Sequence, residues 1–312
     1  MFKRITIKVG SNGLTRADGS LDVTRMSALV DQIAELRDMG TEVVLVSSGA
    51  VASGRSELKG IQCASSSGRK MDSVGQRQLY SAVGQAKLIN RYYEMFRDHG
   101  ISVRQVLTTK ESLATRQDYL NQRNCMEVML QCGVLPIVNE NDTISVTELM
   151  FTDNDELSGL IATMTGAEAL VILSNIDGIY TGSPSDPKSE LIRTVEPGRD
   201  LSEYIQSEKS GFGRGGMLTK SRIASKMAEE GITVVIAHIL VVQHQPSQLR
   251  RQSVVNNDIA VATLIEHRHK VPVTKICGTL HSKNTDIAYK APLAYVIVGY
   301  ITSTREPIST CP

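Results

Sequence analysis

One unit recurs along this chain: a helical stretch, a glycine, then a short run rich in β-branched and other apolar residues. It reads RDMG then TEVVLV, RDHG then ISVRQV, LQCG then VLPIV, MTGAEA then LVIL, and EEG then ITVVIA. Gly40, Gly100, Gly133, Gly166 and Gly231 stand where helix C-caps are expected, since a helix ends most readily on a residue that tolerates left-handed backbone. Residues 43–46 and 171–173 are apolar without alternation, the pattern of strands buried on both faces. Helices alternating with such strands predict an α/β fold, a mainly parallel sheet with helices on both sides. Met26, Leu29, Val30, Ile33 and Leu36 recur at helical spacing and predict the buried face of the first long helix.

At 312 residues the chain has room for one large or two modest domains. Apolar residues make up 41%, and a formal charge of +1 removes any whole-chain argument for nucleic-acid or anionic-membrane partners. No apolar run reaches membrane-spanning length, and MFKRITIKVG lacks the apolar core of a signal peptide, so a cytoplasmic protein without a membrane partner is expected. The five cysteines lack CxxC spacing and suggest neither disulfides nor a zinc knuckle. Cys125 and Cys132, in a helical pattern, read as packing residues. Beyond residue 237 the character changes: five of the six histidines lie there, with eight Lys or Arg against four Asp or Glu, leaving 26 basic and 29 acidic residues in 1–237. A first domain of 1–237 and a tail of 238–312 are expected. The tail's His267, Arg268, His269, Lys270 run reads as solvated surface, because two histidines without a clustered carboxylate or thiolate are weak metal ligands.

The stretch VNENDTISVTELMFTDND, residues 138–155, places two clusters of amides and carboxylates around a short polar segment. An apolar run enters the first cluster and a helical pattern leaves the second. Both clusters should therefore sit where buried strands open to solvent, the edge at which open α/β sheets bind ligands. Asn and Asp also form turns and caps, and Asp153 or Asp155 would serve as a helix cap; two such clusters favour the ligand.

Three further elements bear on chemistry. An apolar strand ends in Lys8, Val9, Gly10, Ser11, Asn12, which offers an ammonium and a loop of backbone N–H groups suited to phosphate. Ser47, Ser48, Gly49 and Ala50 form a strand-to-helix turn whose N–H groups suit a carboxylate or a phosphate equally. GFGRGGMLTK, residues 211–220, contains GxGxxG, but the polar segment before it is not the strand a dinucleotide fingerprint requires, and the GxxxxGK[ST] spacing is absent. What remains is a glycine-rich loop delivering Thr219 and Lys220 at a helix start, with lysine as a point charge for phosphate.

KVGSN, LVSSGAVASGR, SAVGQAKL, LPIVNEND, FTDNDELSGLIA, LSNIDGIYTGSP and GRGGMLTK together resemble the amino acid kinase family, in the order found in its glutamate 5-kinase members. The likeness covers roughly residues 3–237. It implies a three-layer α/β/α sandwich around a mainly parallel sheet. It further implies ATP-dependent phosphorylation of the γ-carboxylate of L-glutamate with Mg²⁺, as the first step of proline biosynthesis, in a homo-oligomer with proline as feedback inhibitor. Carried over residue by residue, Lys8, Asp155 and Lys220 are catalytic, with Asp155 organising the two lysines. Ser48, Gly49, Asp142 and Asn154 contact glutamate, Asp142 at its α-amino group. Lys8, Gly10, Ser11, Ser174 and Asn175, with Arg214, Gly215, Gly216, Met217, Leu218, Thr219 and Lys220, contact ATP. No metal ligand is assigned among the side chains.

A carboxylate acceptor is ionised at pH 7 and needs no general base, which agrees with the lack of a catalytic-histidine pattern in 1–237. The chain departs from the family pattern at Gly13, where an apolar residue is usual and packing should suffer, and in the tail, where HILVVQHQPSQLRRQ follows VVIA and no RNA-binding-type PUA domain is recognisable. A non-catalytic ligand-binding or regulatory protein on the same fold, and a sister kinase with another carboxylate substrate, are the competing readings.

Overall fold

Strand β1 (Arg4–Val9) turns Ile5, Ile7 and Val9 into one apolar layer and Arg4, Thr6 and Lys8 to the opposite face, and that alternation sets the architecture. The computed structural model describes residues 2–59, 72–145, 154–175, 178–182, 186–195, 201, 217–239 and 262–265. Ile5, Ile7 and Val9 pack against Met26, Leu29, Val30 and Ile33 of α2 (Val23–Asp38) and against Leu88, Tyr92 and Phe96 of α4 (Ser73–Asp98). The opposite face of the sheet is covered in two parts. Val44 and Val46 of β2 (Glu42–Ser47) and Val138 of β4 (Leu135–Glu140) meet α6 (Arg116–Gln131) and α7 (Asn154–Thr165). Leu170 and Ile172 of β5 (Ala169–Ser174) and Val234 and Ile236 of β9 (Thr233–His238) meet Ile223, Ala224 and Met227 of α8 (Met217–Glu229). The expected three-layer sandwich is present.

Between these lie the short helices α1 (Ser11–Leu14), α3 (Ala50–Glu57) and α5 (Lys110–Ala114), and strands β3 (Val103–Thr108), β6 (Ile179–Tyr180), β7 (Leu191–Ile192), β8 (Thr194–Val195) and β10 (Ala262–Ile265). The main sheet runs β3-β4-β2-β1-β5-β9-β10-β8, with β6 and β7 forming a separate antiparallel pair. The six strands from β3 to β9 are mutually parallel; β10 pairs antiparallel with β9, bringing residues of the 238–312 segment into the sheet. The order turns at β1, which pairs with β2 on one side and with β5 on the other, so β1 stands at the switch point where doubly wound sheets open a crevice. Its C-terminal end carries Lys8.

All five glycines expected to end helices have positive φ, from 64° at Gly166 to 90° at Gly231. The first-helix positions Met26, Leu29, Val30, Ile33 and Leu36 are buried as their spacing predicts. The run ISVRQV differs from the other strands: β3 is an edge strand, and the exposed Arg104 and Gln105 within it are the physical reason. Cys125 and Cys132 are exposed on α6 and do not pack in the core, because that helix buries Met126 and Leu130 instead.

Two close approaches hold the framework near the switch point. A Cβ placed on Gly84 of α4 would stand 1.8 Å from the Ala50 carbonyl oxygen, and one on Gly54 of α3 would stand 1.8 Å from the Tyr80 carbonyl oxygen. Helices α3 and α4 thus touch backbone to backbone, and the turn Ser48–Gly49 rides on α3. Gly13 does not leave the packing deficit expected of it. A Cβ there would lie 2.9 Å from Cγ2 of Ile239, so the first residue beyond β9 fills the space a larger side chain at 13 would need.

Gly84→Ala is expected to destabilise the chain by about 3 kcal/mol or more in urea titrations, as overpacking against rigid backbone does. Gly100→Ala meets no atom within 4 Å and pays only for its φ of +69°, about 1–2 kcal/mol. Gly13→Leu should likewise be destabilising, and Ile239→Ala should recover part of that loss in a double-mutant cycle.

Candidate active site

Because the six parallel strands point the same way, the C-terminal ends of β1, β2, β4 and β5 open on one edge, where Lys8, Ser48, Asn139 and Ser174 lie. Lys8 shares its side of β1 with Thr6, away from the Ile5, Ile7, Val9 face. Gly10 follows Val9, and a Cβ there would stand 3.5 Å from Lys8 Nζ, so the ammonium lies in ordinary contact range of the residue that leads into Ser11.

Asp155 joins two lysines from different elements. Its Oδ1 lies 2.5 Å from Lys8 Nζ, and its Oδ2 accepts a hydrogen bond of 2.7 Å from Lys220 Nζ. Asp155 is fully buried, and both lysines are more than nine-tenths buried. Burial opposes the charged carboxylate, but the Lys8 and Lys220 ammoniums outweigh it and hold the Asp155 carboxyl below its ordinary range. Its place in the first turn of α7 adds the favourable field of a helix N-terminus. Taking three ionised groups out of water costs several kcal/mol per ion, and such a cluster is weak evidence for stability but good evidence for a task. Two ammoniums against one carboxylate give the trio a formal charge of +1, which suits an anion at this edge.

A second network is polar and neutral. Asn154, the residue before Asp155, donates through Nδ2 to Ser48 Oγ at 2.7 Å and to Asn139 Oδ1 at 3.0 Å; Asn139 in turn donates to Gln85 Oε1 at 2.9 Å. Gly49 has φ 107° and begins α3, which holds the Ser48 turn in place. Beneath it, Ser47 Oγ and the Tyr92 hydroxyl are 3.0 Å apart, and burial pushes the Tyr92 phenol well up, against the opposing pull of that bond. Asp142 forms a third group. Arg77, on α4, donates to its Oδ1 from Nε at 3.1 Å and from Nη2 at 2.5 Å, while Gln78 Nε2 donates to the Thr143 carbonyl at 2.8 Å. Glu140, which accepts from Ser145 Oγ, lies 3.9 Å from Arg77 Nη2.

Of the residues anticipated from sequence, Lys8, Asp155 and Lys220 are in direct contact, and Ser48 and Asn154 share a hydrogen bond beside Gly49. Asp142 stands in its own ion pair. Ser174 ends β5, with Val9 of β1 in register beside Leu173, and its hydroxyl donates to Asn175 Oδ1 at 3.4 Å. Met217, Leu218 and Thr219 begin α8 ahead of Lys220. Arg214, Gly215 and Gly216 lie outside the described residues, as does the polar segment 146–153, including Asp153. Sequence reading missed Arg77, Gln85 and Tyr92. The first two carried a readable sign: Arg77, Ser81 and Gln85 recur every fourth residue, a polar stripe on a helix whose Ser81 and Gln85 are buried. Among the described residues, no group of three or more His, Cys, Asp or Glu is placed to hold a metal ion.

The profile of the amino acid kinase family matches residues 3–238. The chain is 71% identical over 237 residues to a glutamate 5-kinase of Bacteroides thetaiotaomicron, 50% over 240 residues to that of Chlorobaculum tepidum, and 40% over 236 residues to that of Citrifermentans bemidjiense. These alignments cover 76%, 76% and 75% of this chain, and 64%, 64% and 61% of the respective relatives. The chain thus spans less than two thirds of the length of the curated relatives it matches.

Because the folded-state pKa of Asp155 is depressed, its stabilising contribution is present above the ordinary value of 3.8 and is lost as pH falls below it. Asp155→Asn leaves two buried ammoniums without their carboxylate and is expected to lower stability by about 3–5 kcal/mol at pH 7. Urea titrations should show that deficit undiminished down to about pH 4 and shrinking only below it.

Proposed function

The chain belongs to the amino acid kinase family, and we propose that it transfers the γ-phosphoryl group of ATP to the γ-carboxylate of L-glutamate, giving L-glutamyl 5-phosphate. The observation that carries this reading is the Lys8–Asp155–Lys220 trio at the switch point of the sheet. Two lysines held by one buried carboxylate form a rigid cationic pair, the arrangement that phosphoryl transfer asks of a protein when positioning and charge do most of the work.

Each part has a role. The γ-carboxylate of the acceptor, ionised at neutral pH, attacks the γ-phosphorus in line, so no residue has to remove a proton. Lys8 and Lys220 neutralise the oxygens of the transferring group, and Asp155 fixes both lysines so that little reorganisation is needed during transfer. Ser48 and Asn154, already joined, orient the acceptor through hydroxyl and amide groups, with Gly49 giving the backbone a close approach. Asp142 takes the substrate's ammonium. Gly10, Ser11, Ser174, Asn175 and the 214–220 segment are assigned to ATP. Mg²⁺ would fit this scheme as an ion brought in on the nucleotide phosphates, where it would supply added positive charge and need few protein ligands.

Residues 1–237 carry the catalytic unit in this reading, and 238–312 form a tail whose strand β10 joins the same sheet. Assembly as a homo-oligomer, inhibition by proline, a place at the start of proline biosynthesis and a cytoplasmic location complete the proposal. No helix among the described residues is long and apolar enough to cross a membrane. Joint retention of Lys8, Asp155 and Lys220 favours an enzyme over a non-catalytic binding protein, which would have no need of a costly buried trio.

An ADP-release assay of the full chain against glutamate, aspartate, N-acetylglutamate and carbamate tests the reading, with turnover expected for glutamate alone. Lys8→Ala and Lys220→Ala should each lower kcat at least about a hundredfold, the scale of one lost transition-state contact. Near-wild-type turnover in both would overturn the assignment. Asp142→Ala should mainly raise KM for glutamate.

A further inference from the structure

Asp142, the residue assigned to the substrate ammonium, is already engaged by a guanidinium, and this pairing needs a reason. Arg77 reaches it from α4 with Nε and Nη2, both on the single oxygen Oδ1. Those contacts leave Oδ2 of Asp142 and Nη1 of Arg77 outside the pair. The carboxylate is nine-tenths buried, whereas the Arg77 side chain keeps 27% of its surface exposed. The Arg77 side chain therefore runs from a buried anion to partly exposed surface. The segment that carries Asp142 is tied to α4 at two more points: Gln78 donates to the Thr143 carbonyl, and Gln85, two turns further along α4 from Arg77, accepts from Asn139.

A pair whose mutual hydrogen bonds leave one carboxylate oxygen and one guanidinium nitrogen unused matches the α-ammonium and α-carboxylate of a zwitterionic amino acid. Asp142 alone would bind any primary ammonium. Only a cation beside it can demand that the same carbon also bear a carboxylate. The geometry points to Arg77 as the residue that reads the substrate α-carboxylate, while its contact with Asp142 keeps the ammonium site in register. This role rests on the glutamate reading above and deepens it. It also accounts for arginine over lysine: a planar fork can hold Asp142 through Nε and Nη2 and still present Nη1, which a single ammonium cannot do.

The discriminating probe is isoglutamine, the analogue of glutamate in which the α-carboxylate is a carboxamide and the γ-carboxylate and α-ammonium are kept. Calorimetric binding of both ligands to the full chain and to Arg77→Met and Arg77→Lys separates reading from mere support. The wild-type chain is expected to prefer glutamate by about tenfold or more, the scale of one hydrogen bond to a charged group. In Arg77→Met that preference should collapse to within about threefold, chiefly through weaker glutamate binding, and Arg77→Lys should fall between. Equal weakening of both ligands in Arg77→Met would overturn the proposal and leave Arg77 a support for Asp142. Circular dichroism on each variant excludes loss of fold as the cause. Failure of the unaltered chain to phosphorylate glutamate would overturn the activity reading separately; Arg77-dependent discrimination in binding would still stand.

Discussion

A single buried carboxylate between two buried ammoniums is the constraint around which this structure is arranged. Lys8 comes from a central strand, Lys220 from the first turn of α8, and Asp155 from the first turn of α7. The three meet only if α7 and α8 pack on the same side of the sheet and begin at the same edge. Ile223 and Met227 of α8 accordingly lie against Gly159 of α7, where a Cβ would come within 3.1 Å of the isoleucine; the missing side chain lets the two helices close up just behind the charged trio. Without Asp155, two ammoniums would be buried side by side, a repulsion that no neighbouring hydrophobic contact would offset.

Parallel strand topology then does the gathering. Parallel strands joined by helices all end on one edge, so residues far apart in sequence arrive together: Ser48 after β2, Asn139 near the end of β4, Asn154 at the start of α7. The step from β4 through α7 to β5 passes over β2 and β1, and this places Asn154 across from Ser48 and Asp155 beneath Lys8. The amide that joins Ser48 and Asn139 and the carboxylate that holds the two lysines are consequently adjacent residues, Asn154 and Asp155, on one helix. A carboxylate held at Asn154 would have its path to a phosphate held at the lysines built into the backbone.

How much of this could be read beforehand varies by physical cause. The alternation of strands and helices was plain, because burial on both faces leaves continuous apolar runs and helices end on glycines such as Gly40 and Gly231, whose positive φ follows from that role. Lys8, Asp155 and Lys220 were legible because they occur in recognisable local motifs. That the three touch is a tertiary fact. Arg77 escaped notice because its significance lies wholly in its partner 65 residues away, and a lone arginine early in an amphipathic helix looks like any solvated charge. Cys125 and Cys132 misled for the reverse reason. Cysteine is usually buried, yet α6 covers a sheet edge and has room for only a narrow apolar stripe, which Met126 and Leu130 fill.

The two places where the chain departs from its family pattern are in contact. Gly13 lies in the turn after Lys8, and Ile239 is the first residue past β9; a side chain at 13 and the isoleucine at 239 would compete for one space. Ile239 is also tied to the sheet through its N–H, which donates to the Ser174 carbonyl at 2.8 Å. The small residue in the turn after Lys8 and the large one near the head of the tail thus form one packing unit with Val9. The change in composition near residue 238 marks a change in the chain's character, but side-chain packing runs across it, and β10 extends the sheet from beyond it. Whatever the rest of the tail does, Ile239 packs on the turn that follows Lys8, so the effect of altering it is expected at the cationic edge before it appears anywhere else.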